Sequence, residues 1–305
     1  MAISDAALRH LRHVADLPDL SGTRYEFVEP LGRGGMGAVY RVCDTALGRD
    51  VAMKVLAGAA VDESRARLEQ EARILARLEH PGIVPVHDVG TLPDGRLFYV
   101  MKLVNGHRLD AVAQRVSSVP ERLRLIGRVA DAVAFAHAHG VVHRDLSPAN
   151  VMVGTFGEVL VVDWGLAEVA GPERPTRSAP VVAGTPGFIA PEQAEGRATP
   201  ASDVFSLGSI LRWWLAPERG GPARLPRALA SVVERATASD ESRRYPSAAA
   251  FAADLAAYLD GEHVAAHRES AGERVVRFAK RYRVAILLVV GYLLMRVALL
   301  VVRGL

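Results

Sequence analysis

The 305-residue sequence contains a single cysteine, Cys43. It can form no intramolecular disulfide, and it cannot build a cysteine-rich zinc module, which needs two or more thiolate ligands. With 50% hydrophobic and 23% charged residues, the chain is also neither disordered nor collagen-like. These absences favour a globular protein of a reducing compartment, long enough for one large domain or two small ones.

Most of the chain lacks an excess of positive charge. The formal net charge is +3, but residues 268–305 carry eight basic against two acidic residues, which leaves −3 on residues 1–267. A nucleic-acid-binding surface needs a basic excess to neutralise phosphates. We therefore expect no nucleic-acid partner.

Lysine is rare, since Lys54, Lys102 and Lys280 stand beside 34 arginines. Arginine evidently supplies positive charge elsewhere in the chain. A lysine inside an apolar strand, as Lys54 is in the run VAMK, therefore indicates a need for a compact ammonium group.

The N-terminus lacks the apolar stretch after a basic start that marks an export signal. We therefore expect the body of the chain to stay in the cytoplasm. Residues 1–24 have only a weak helical period and are predicted to form an arm before the first domain.

Hydrophobic periodicity changes once along the chain. From residue 25 to about 102, five runs alternate apolar and polar residues, which predicts five strands, with one helix over 62–78 between the third and fourth. After residue 106 the pattern is mainly helical, with segments at about 119–139, 201–215, 226–238 and 246–259. The sequence thus predicts an α+β chain with lobes at 25–104 and 105–261.

A glycine-rich run, GRGGMG over residues 32–37, connects the first two predicted strands. This spacing also occurs in dinucleotide-binding folds, but those require a helix directly after the glycines. Here Ala38 and Val39 continue as a strand. We therefore predict a hairpin turn whose backbone can approach phosphates.

Lys54 shares a strand face with Ala52 beside this hairpin, so its ammonium can reach phosphates. A lysine buried among apolar residues needs a counter-charge, which Glu69 or Glu71 of the helix over 62–78 could supply. We choose Glu71, because Leu75 continues the apolar stripe one turn further on the same face. An ordinary surface ion pair is the alternative interpretation.

Two carboxylates and an amide follow short apolar runs further along. Asp145 and Asn150 belong to HRDLSPAN, and Asp163 begins DWG. One aspartate could accept the proton of a hydroxyl while an Asp/Asn pair holds divalent cations over phosphates. This combination favours phosphoryl transfer.

Together, GRGGMGAV, VAMK, HRDLSPAN, DWG and APE resemble, in order and spacing, the motifs of bacterial eukaryotic-type (Hanks-type) Ser/Thr protein kinases with a C-terminal membrane anchor. The resemblance covers residues 25–261. It implies the bilobal protein-kinase fold, with a five-stranded lobe carrying one helix and a mainly helical lobe. It also implies transfer of the γ-phosphate of ATP, with Mg²⁺ as cofactor, to hydroxyls of protein substrates.

The resemblance implies roles for individual residues as well. Asp145 would be the catalytic base, Asn150 and Asp163 the Mg²⁺ ligands, and Lys54 with Glu71 the phosphate-positioning pair. The residues implied to contact ATP run through the glycine-rich turn, the strand of Lys54, the hinge and the floor of the cleft: Leu31, Gly32, Arg33, Gly34, Gly35, Met36, Gly37, Ala38, Val39, Ala52, Lys54, Met101, Leu103 and Met152.

Supporting contacts are implied outside the nucleotide site. Asp203 would anchor the loop of Asp145, Arg244 would pair with Glu192, and Thr185 would bond toward Asp145. Arg144 is typical of kinases controlled by phosphorylation of the activation loop. The candidate acceptors in that loop are Thr176 and Ser178.

Two departures from the family pattern bear on activity. Ser147 stands where most members carry a lysine that touches the transferred phosphate, so one cation is missing there. The stretch 216–225 is about ten residues long where the family usually has tens. A pseudokinase acting as a membrane-tethered ATP-binding scaffold is therefore the alternative to an active enzyme.

Residues 284–302 form a 19-residue apolar run that only Arg296 interrupts, which is the length of a bilayer span. The basic segment 262–283 would keep the preceding domain in the cytoplasm. The sequence thus predicts a single-pass helix in the inner membrane that contacts lipid. Gly291 offers a small residue for a homodimer within the membrane. An amphipathic or buried helix is the alternative.

Overall fold

A sheet of five antiparallel strands forms the N-terminal lobe of the computed structural model. The strands follow the order β1-β2-β3-β5-β4, and all five predicted strands are confirmed. Their bounds are β1 Tyr25–Gly34, β2 Gly37–Asp44, β3 Arg49–Leu56, β4 Val86–Thr91 and β5 Leu97–Lys102. The structure describes residues 17–34, 37–56, 77–113, 115–116, 118–164, 167–169 and 184–302. The helix predicted over 62–78 lies outside these residues apart from its last two positions.

Strand alternation gives this sheet two different faces. Tyr40 and Val42 of β2 pack with Met53 and Val55 of β3 in an apolar core on one face. Because successive side chains of a strand point to opposite sides, Val39 and Lys54 lie on the other face, which is turned toward the second lobe. The sheet therefore carries its functional side chains on the face opposite its core.

The second lobe is mainly helical, and the helices predicted from residue 119 onward are confirmed. Short strands join the two lobes: β6 Gly106–Arg108, β8 Val151–Gly154 and β9 Val159–Val161 form one sheet, while β7 Val141–Val142 pairs with β10 Glu168–Val169. The helices are α1 Leu109–Val112, α2 Val119–Ala138, α3 Pro191–Ala194, α4 Pro200–Trp214, α5 Arg227–Ala236, α6 Ala248–Leu259, α7 Ala271–Arg281 and α8 Arg283–Val302.

The core of this lobe forms where α2, α4 and α6 meet. Leu123 and Ile126 of α2 pack with Leu207 of α4 and with Phe251 and Leu255 of α6, and all are fully or almost fully buried. An α-helix buries only one stripe of side chains unless it lies inside the fold. Helix α4 is buried on nearly every side. Its first turn lies beneath the loop that connects β7 to β8 and bonds to the backbone of that loop.

The short segment after α4 is held in place by Arg122, which is only 1% exposed. Its guanidinium donates to the backbone oxygens of Val116 (2.8 Å), Trp214 (2.6 Å) and Arg219 (2.7 Å), and more weakly to Ala113 (3.4 Å). A cation at the C-terminal end of α4 also interacts favourably with the helix dipole. Burial lowers the pKa of Arg122.

The C-terminal helices α7 and α8 meet at a sharp bend. Among the described residues, no single helix has the length and hydropathy needed to cross a bilayer. The segments Ala271–Ala279 and Arg283–Leu299, which are bent by 76°, meet that test only as a pair.

We predict that Arg122→Ala destabilises the fold by about 3 kcal/mol or more, because several buried carbonyl groups lose their donor. Urea unfolding of the full chain in detergent micelles, followed by tryptophan fluorescence, measures the change. The matched control is Arg124→Ala on the same helix, since Arg124 is exposed. Equal losses in the two variants would contradict the role given to Arg122.

Candidate active site

A cavity of about 780 Å³ lies between the two lobes. Sheet residues form its roof, the strand end of β5 and the following residues form its back, and β8 with the loops around Asp145 and Asp163 form its floor. The structure brings most of the sequence-predicted site residues to this one cavity: Leu31, Gly32, Arg33, Gly34, Gly37, Val39, Ala52, Lys54, Met101, Leu103, Asp145, Asn150, Met152 and Asp163.

The side chain of Ala38 is an exception. It is buried in the core on the opposite face of β2, together with Tyr40 and Val42. Strand alternation turns the Ala38 side chain away from that of Val39, so a contact of this position with ATP would involve its backbone, and it stays a prediction. Five other predicted positions lie outside the described residues: Gly35, Met36, Glu71, Thr176 and Ser178.

The cavity also contains residues that the sequence did not single out. Tyr99 lines its back wall, and the Lys54 ammonium lies 5.6 Å from the centre of the Tyr99 ring. Alternation along β5 could have revealed Tyr99, since it shares a face with Met101. Val84, His107 and Arg108 also line the cavity. Val84 comes from a connecting segment, and His107 and Arg108 come from the three-residue strand β6, which is too short to show a periodicity.

Lys54 and Asp163 join the two lobes across the cavity. The Lys54 ammonium, at the centre of β3, donates to Oδ1 of Asp163 at 2.8 Å. The Lys54 side chain is 7% exposed, whereas that of Asp163 is 48% exposed and faces the open cavity. Asp163 adopts a left-handed backbone conformation with φ of 61°, which is rare for residues other than glycine and typical of functional sites.

The carboxylate of Asp145 accepts one bond from each side. Thr185 Oγ1 donates to Oδ1 at 2.7 Å, as predicted, and Asn150 Nδ2 donates to Oδ2 at 3.0 Å. The same amide nitrogen donates to the backbone oxygen of Asp145 at 2.8 Å. Each carboxylate oxygen keeps a second lone pair, so Asp145 can still accept a proton or a hydrogen bond from the cavity.

Asn150 and the strand before Asp163 are joined directly. The backbone N–H of Val162 donates to the backbone oxygen of Asn150 at 2.9 Å. Because the Asn150 amide nitrogen is committed to Asp145, its Oδ1 is the atom left to accept or to coordinate. The structure therefore holds an amide oxygen and the Asp163 carboxylate on neighbouring segments.

This oxygen pair suits Mg²⁺. Magnesium prefers oxygen ligands and is commonly bound by one or two protein groups together with substrate phosphates and water. Within the part of the chain that the structure describes, no group of three or more His, Cys, Asp and Glu side chains could hold a metal alone. The donor set of Asn150 and Asp163 thus fits a cation that arrives with a phosphate ligand.

Asp203 holds the loop that carries Asp145. This carboxylate lies in the first turn of α4 with its side chain 1% exposed, and it accepts from the backbone N–H groups of His143 (2.8 Å) and Arg144 (2.9 Å). It also bonds His137 Nε2 at 2.8 Å. Burial alone would raise the pKa of Asp203, but the bond and charge of His137 and the contacts of His143 lower it.

The loop is further fixed by His143, which packs against Trp164 with ring centres 4.5 Å apart. The N–H of Asp145 donates to His143 Nδ1 at 3.2 Å, while Nε2 lies 3.3 Å from the oxygen of Val162. A neutral imidazole accepts at one nitrogen and donates at the other, so these contacts assign the proton to Nε2. Arg144, between His143 and Asp145 in the sequence, adopts a left-handed backbone conformation with φ of 72°.

The protein kinase domain matches residues 25–219 of this sequence. The chain belongs to the protein kinase family. The match includes every residue of the cavity described above and ends within the short segment after α4. The bilobal fold that the sequence motifs implied is therefore that of this family.

Several named serine/threonine-protein kinases are similar in sequence to this part of the chain. The DNA damage-responsive serine/threonine-protein kinase RqkA of Deinococcus radiodurans is 40% identical over 197 residues, which are 62% of this chain and 29% of that protein. Serine/threonine-protein kinase PknA of Mycobacterium tuberculosis is 42% identical over 200 residues, 63% of this chain and 46% of PknA. A probable serine/threonine-protein kinase of Streptomyces coelicolor is 36% identical over 286 residues, 82% of this chain and 42% of that protein. The chain thus spans less than half the length of each relative.

The lower half of the kinase domain is tied together by Glu192 and Arg244. The guanidinium donates to both carboxylate oxygens at 2.7 Å, and both groups are buried. Ser202 Oγ donates to the same carboxylate at 2.6 Å. This pair, predicted from the sequence, connects α3 to the segment before α6. Burial by itself raises the pKa of Glu192, but the bonds from Arg244 and Ser202 outweigh it and hold the pKa below 4.5.

Ser147 contributes no group to the cavity. It is fully buried, it is absent from the cavity lining, and its Oγ has no hydrogen-bond partner among the described residues. The missing lysine is therefore not replaced by a hydroxyl that faces the ligand. Lys54 supplies positive charge at this end of the cavity through its bond to Asp163.

We predict that acid unfolding of the kinase depends on Glu192. Its pKa is lowered in the folded state, so its contribution to stability is complete above the unfolded value of 4.5 and is lost as the pH falls through the folded value. Glu192→Gln should therefore flatten the fall of unfolding free energy below pH 4.5. Urea titrations at a series of pH values measure this slope.

The exposed Glu195 on the neighbouring turn provides the control, because its ion pair with Arg197 is at the surface. Glu195→Gln should leave the slope unchanged. A slope that is equally steep in wild type and Glu192→Gln would rule out the proposed linkage.

Proposed function

We propose that this chain is a Ser/Thr protein kinase that transfers the γ-phosphate of Mg·ATP to hydroxyl groups of protein substrates. The observation that carries the proposal is the convergence of Lys54, Asp145, Asn150 and Asp163 at one end of the interlobe cavity. A cation, a carboxylate with free lone pairs and two oxygen ligands are the groups that phosphoryl transfer uses.

The other end of the cavity suits a purine. Val39 and Ala52 form an apolar roof, Met152 forms the floor, and Met101 with Leu103 forms the back. Flat aromatic ligands bind in such apolar slots, oriented by a few polar groups. The backbone N–H and C=O groups after Met101 would supply that orientation, as the resemblance to kinases implied.

Phosphates extending from a purine in this slot reach Lys54 and the glycine-rich turn. Asn150 Oδ1 and the exposed Asp163 carboxylate would hold Mg²⁺, which neutralises and orients phosphate oxygens when it is bound. Lys54 would then balance the negative charge from the side of the sheet. Its short bond to Asp163 shows that the two groups already share this space.

Asp145 would accept the proton of the substrate hydroxyl. Thr185 and Asn150 fix its carboxylate from opposite sides, so a hydroxyl that enters the cavity meets an acceptor of defined direction. The hydrogen bonds that position Asp145 continue into the buried interior, where the backbone N–H groups of His143 and Arg144 donate to Asp203. A rigidly placed base lowers the cost of aligning the reacting groups.

A pseudokinase scaffold is the alternative, and the absence of a lysine at position 147 is the feature that raised it. The complete set of Asp145, Asn150 and Asp163, each reaching the cavity, favours catalysis instead. A scaffold that only binds ATP has no need of a base held by two hydrogen bonds.

We predict that the full chain in detergent incorporates phosphate from labelled Mg·ATP into a generic basic protein substrate and into itself. Asp145→Asn should lower the rate at least about 100-fold, because the amide cannot accept the proton. The matched control is Asp131→Asn, which neutralises an exposed carboxylate on α2 away from the cavity. Its rate should equal that of wild type.

One result would count against an active kinase, and a second measurement interprets it. Incorporation by wild type no greater than by Asp145→Asn would demote the chain to a scaffold. Thermal unfolding with and without Mg·ATP then tells a scaffold from a protein that binds no nucleotide, because only a ligand of the folded state raises the melting temperature.

We further propose that α8 anchors this kinase in the inner membrane as a single-pass helix, with the catalytic domain in the cytoplasm. The 20 residues of α8 extend over about 30 Å at 1.5 Å each, close to the thickness of the hydrocarbon core, and the helix meets the length and hydropathy of a bilayer span only together with α7. Its apolar side chains are exposed, with Leu287 and Leu288 each at 69%, so the described residues leave them without cover. The basic residues before α8 favour the cytoplasmic side. Arg296 lies toward the far end, where its side chain can reach headgroups.

Removal of residues 284–305 should release the kinase from the membrane fraction into the supernatant of lysed cells. The apolar surface of α8 is then lost, while the kinase domain keeps its own core. Carbonate washing followed by immunoblotting measures the distribution. Full-length protein that remains in the supernatant would exclude the anchor.

A further inference from the structure

We propose that α7 lies in the plane of an anionic phospholipid bilayer, with its apolar face among the acyl chains and with Arg274 and Arg283, which lie beside that face, at the lipid phosphates. The kinase domain would then be held directly on the membrane surface rather than on a free tether. This inference rests on the proposed membrane anchor, because α8 follows α7 after one residue.

Helix α7 has two chemically distinct faces. At 100° per residue, Val275, Phe278 and the following Tyr282 lie within one narrow sector. The opposite side, the basic face, carries Glu273 and Arg277 with Arg281 at its edge, whereas Arg274 lies beside Phe278, one turn away along the helix. Sharp separation of apolar from basic residues, with low overall hydrophobicity, is the pattern of helices that lie in a membrane interface.

No described residue covers the apolar face of α7. Val275 is 67% exposed and Phe278 is 61% exposed. The Phe278 ring contacts that of Tyr282, with centres 4.7 Å apart, and both project from the same side. A contiguous exposed apolar patch of this kind marks an interaction surface.

The kinase domain packs against the basic face instead. Arg277 pairs with Glu269 at 2.8 Å, and Arg281 pairs with Glu262 at 3.2 Å. Both acidic residues lie in the segment between α6 and α7. The apolar face of α7 is therefore turned away from the domain.

That connecting segment is itself fixed to the domain. Asp254 of α6 is buried and accepts from the backbone N–H groups of Ala265 (2.7 Å) and Ala266 (2.9 Å). Val264 is 3% exposed and belongs to the core of the helical lobe. A connection with buried and hydrogen-bonded residues restricts where α7 can lie relative to the domain.

The bend between the two helices fits a bilayer surface. Tyr282 leaves the helical conformation with φ of −104° and ψ of 20°, and the axes on either side differ by 76°. If α8 crosses the bilayer, α7 must run close to the membrane plane. Its apolar face and the apolar surface of α8 then meet the same hydrocarbon, and the aromatic pair at the bend lies at headgroup depth, where Tyr is enriched.

The exposed positive charges beside the apolar face of α7 indicate that this face contacts an anionic lipid surface. Arg274 and Arg283 are exposed and form no ion pair with any described residue. Basic side chains beside an apolar face are attracted to the negative potential of anionic headgroups. A protein partner for the apolar face would leave these arginines without complementary charge, so we assign the face to lipid.

Fluorescence quenching in reconstituted vesicles tests this assignment with the full chain. Cys43→Ser removes the only native thiol. Single cysteines introduced by Phe278→Cys, Arg277→Cys or Leu288→Cys then carry an environment-sensitive dye. Vesicles of equal parts phosphatidylglycerol and phosphatidylcholine contain lipids with a nitroxide on the acyl chain, which quenches only dyes within the bilayer.

We expect strong quenching at positions 278 and 288 and little at 277, because 277 lies on the face that is paired with the domain. In vesicles of phosphatidylcholine alone, quenching at 278 should fall about twofold or more, since Arg274 and Arg283 lose their counter-charge, while quenching at 288 should persist. Kinase activity of the Cys43→Ser background, compared with the same background carrying Asp145→Asn, checks that the domain is folded.

The outcomes separate this inference from the proposed function. Quenching at 288 without quenching at 278 overturns the in-plane helix and leaves the anchor standing. Absence of quenching at both positions overturns the anchor itself. A dye at 278 that reports apolar surroundings yet escapes the lipid quencher assigns the face to a protein contact, including a second copy of this chain. Equal quenching at 278 in both lipid mixtures removes the requirement for anionic lipid.

Discussion

The active site depends on one buried carboxylate, that of Asp203. It accepts the backbone N–H groups of His143 and Arg144 from inside the helical lobe, where those donors would otherwise be unsatisfied. The left-handed conformation of Arg144 is stabilised by this arrangement. Because the loop cannot relax without breaking buried hydrogen bonds, Asp145 keeps its direction toward the cavity. A core interaction thus controls the position of a group that must itself remain exposed to ligand.

From Asp145 a continuous path of polar contacts crosses the molecule. Asn150 bonds the Asp145 side chain, the Asn150 backbone bonds Val162, and Asp163 then bonds Lys54 in the sheet. Apolar contacts of Leu78 and Ile83 with the core of the helical lobe also join the lobes, and these polar contacts add a connection at the cavity itself. Closing of the lobes around a ligand would therefore act directly on the groups that perform the chemistry.

The helical lobe combines family features with local solutions. Glu192 and Arg244 form a buried pair with full hydrogen bonding, which makes the removal of either partner costly. Arg122 has a different role, since it donates hydrogen bonds to the backbone at the end of α4 and in the short 3-10 turn Pro217–Arg219 that follows. At the other end of the lobe, Asp254 ties down the chain that leads to α7. The domain and its C-terminal helices are thereby connected without a long free linker.

Sequence patterns determined the strands, the main helices and most of the cavity lining, because periodicity reports which side of an element is buried and the motifs report which chemistry it carries. They could not decide contacts between distant segments. Lys54 was predicted to pair with Glu71, which lies outside the described residues, while the structure shows a bond to Asp163 that no local pattern predicts. The unforeseen role of Arg122 has the same origin. Hydrophobic spacing specifies a face within one element, whereas the partner across a cavity, the carbonyl groups around a buried guanidinium and the bend at Tyr282 exist only once separate elements pack together.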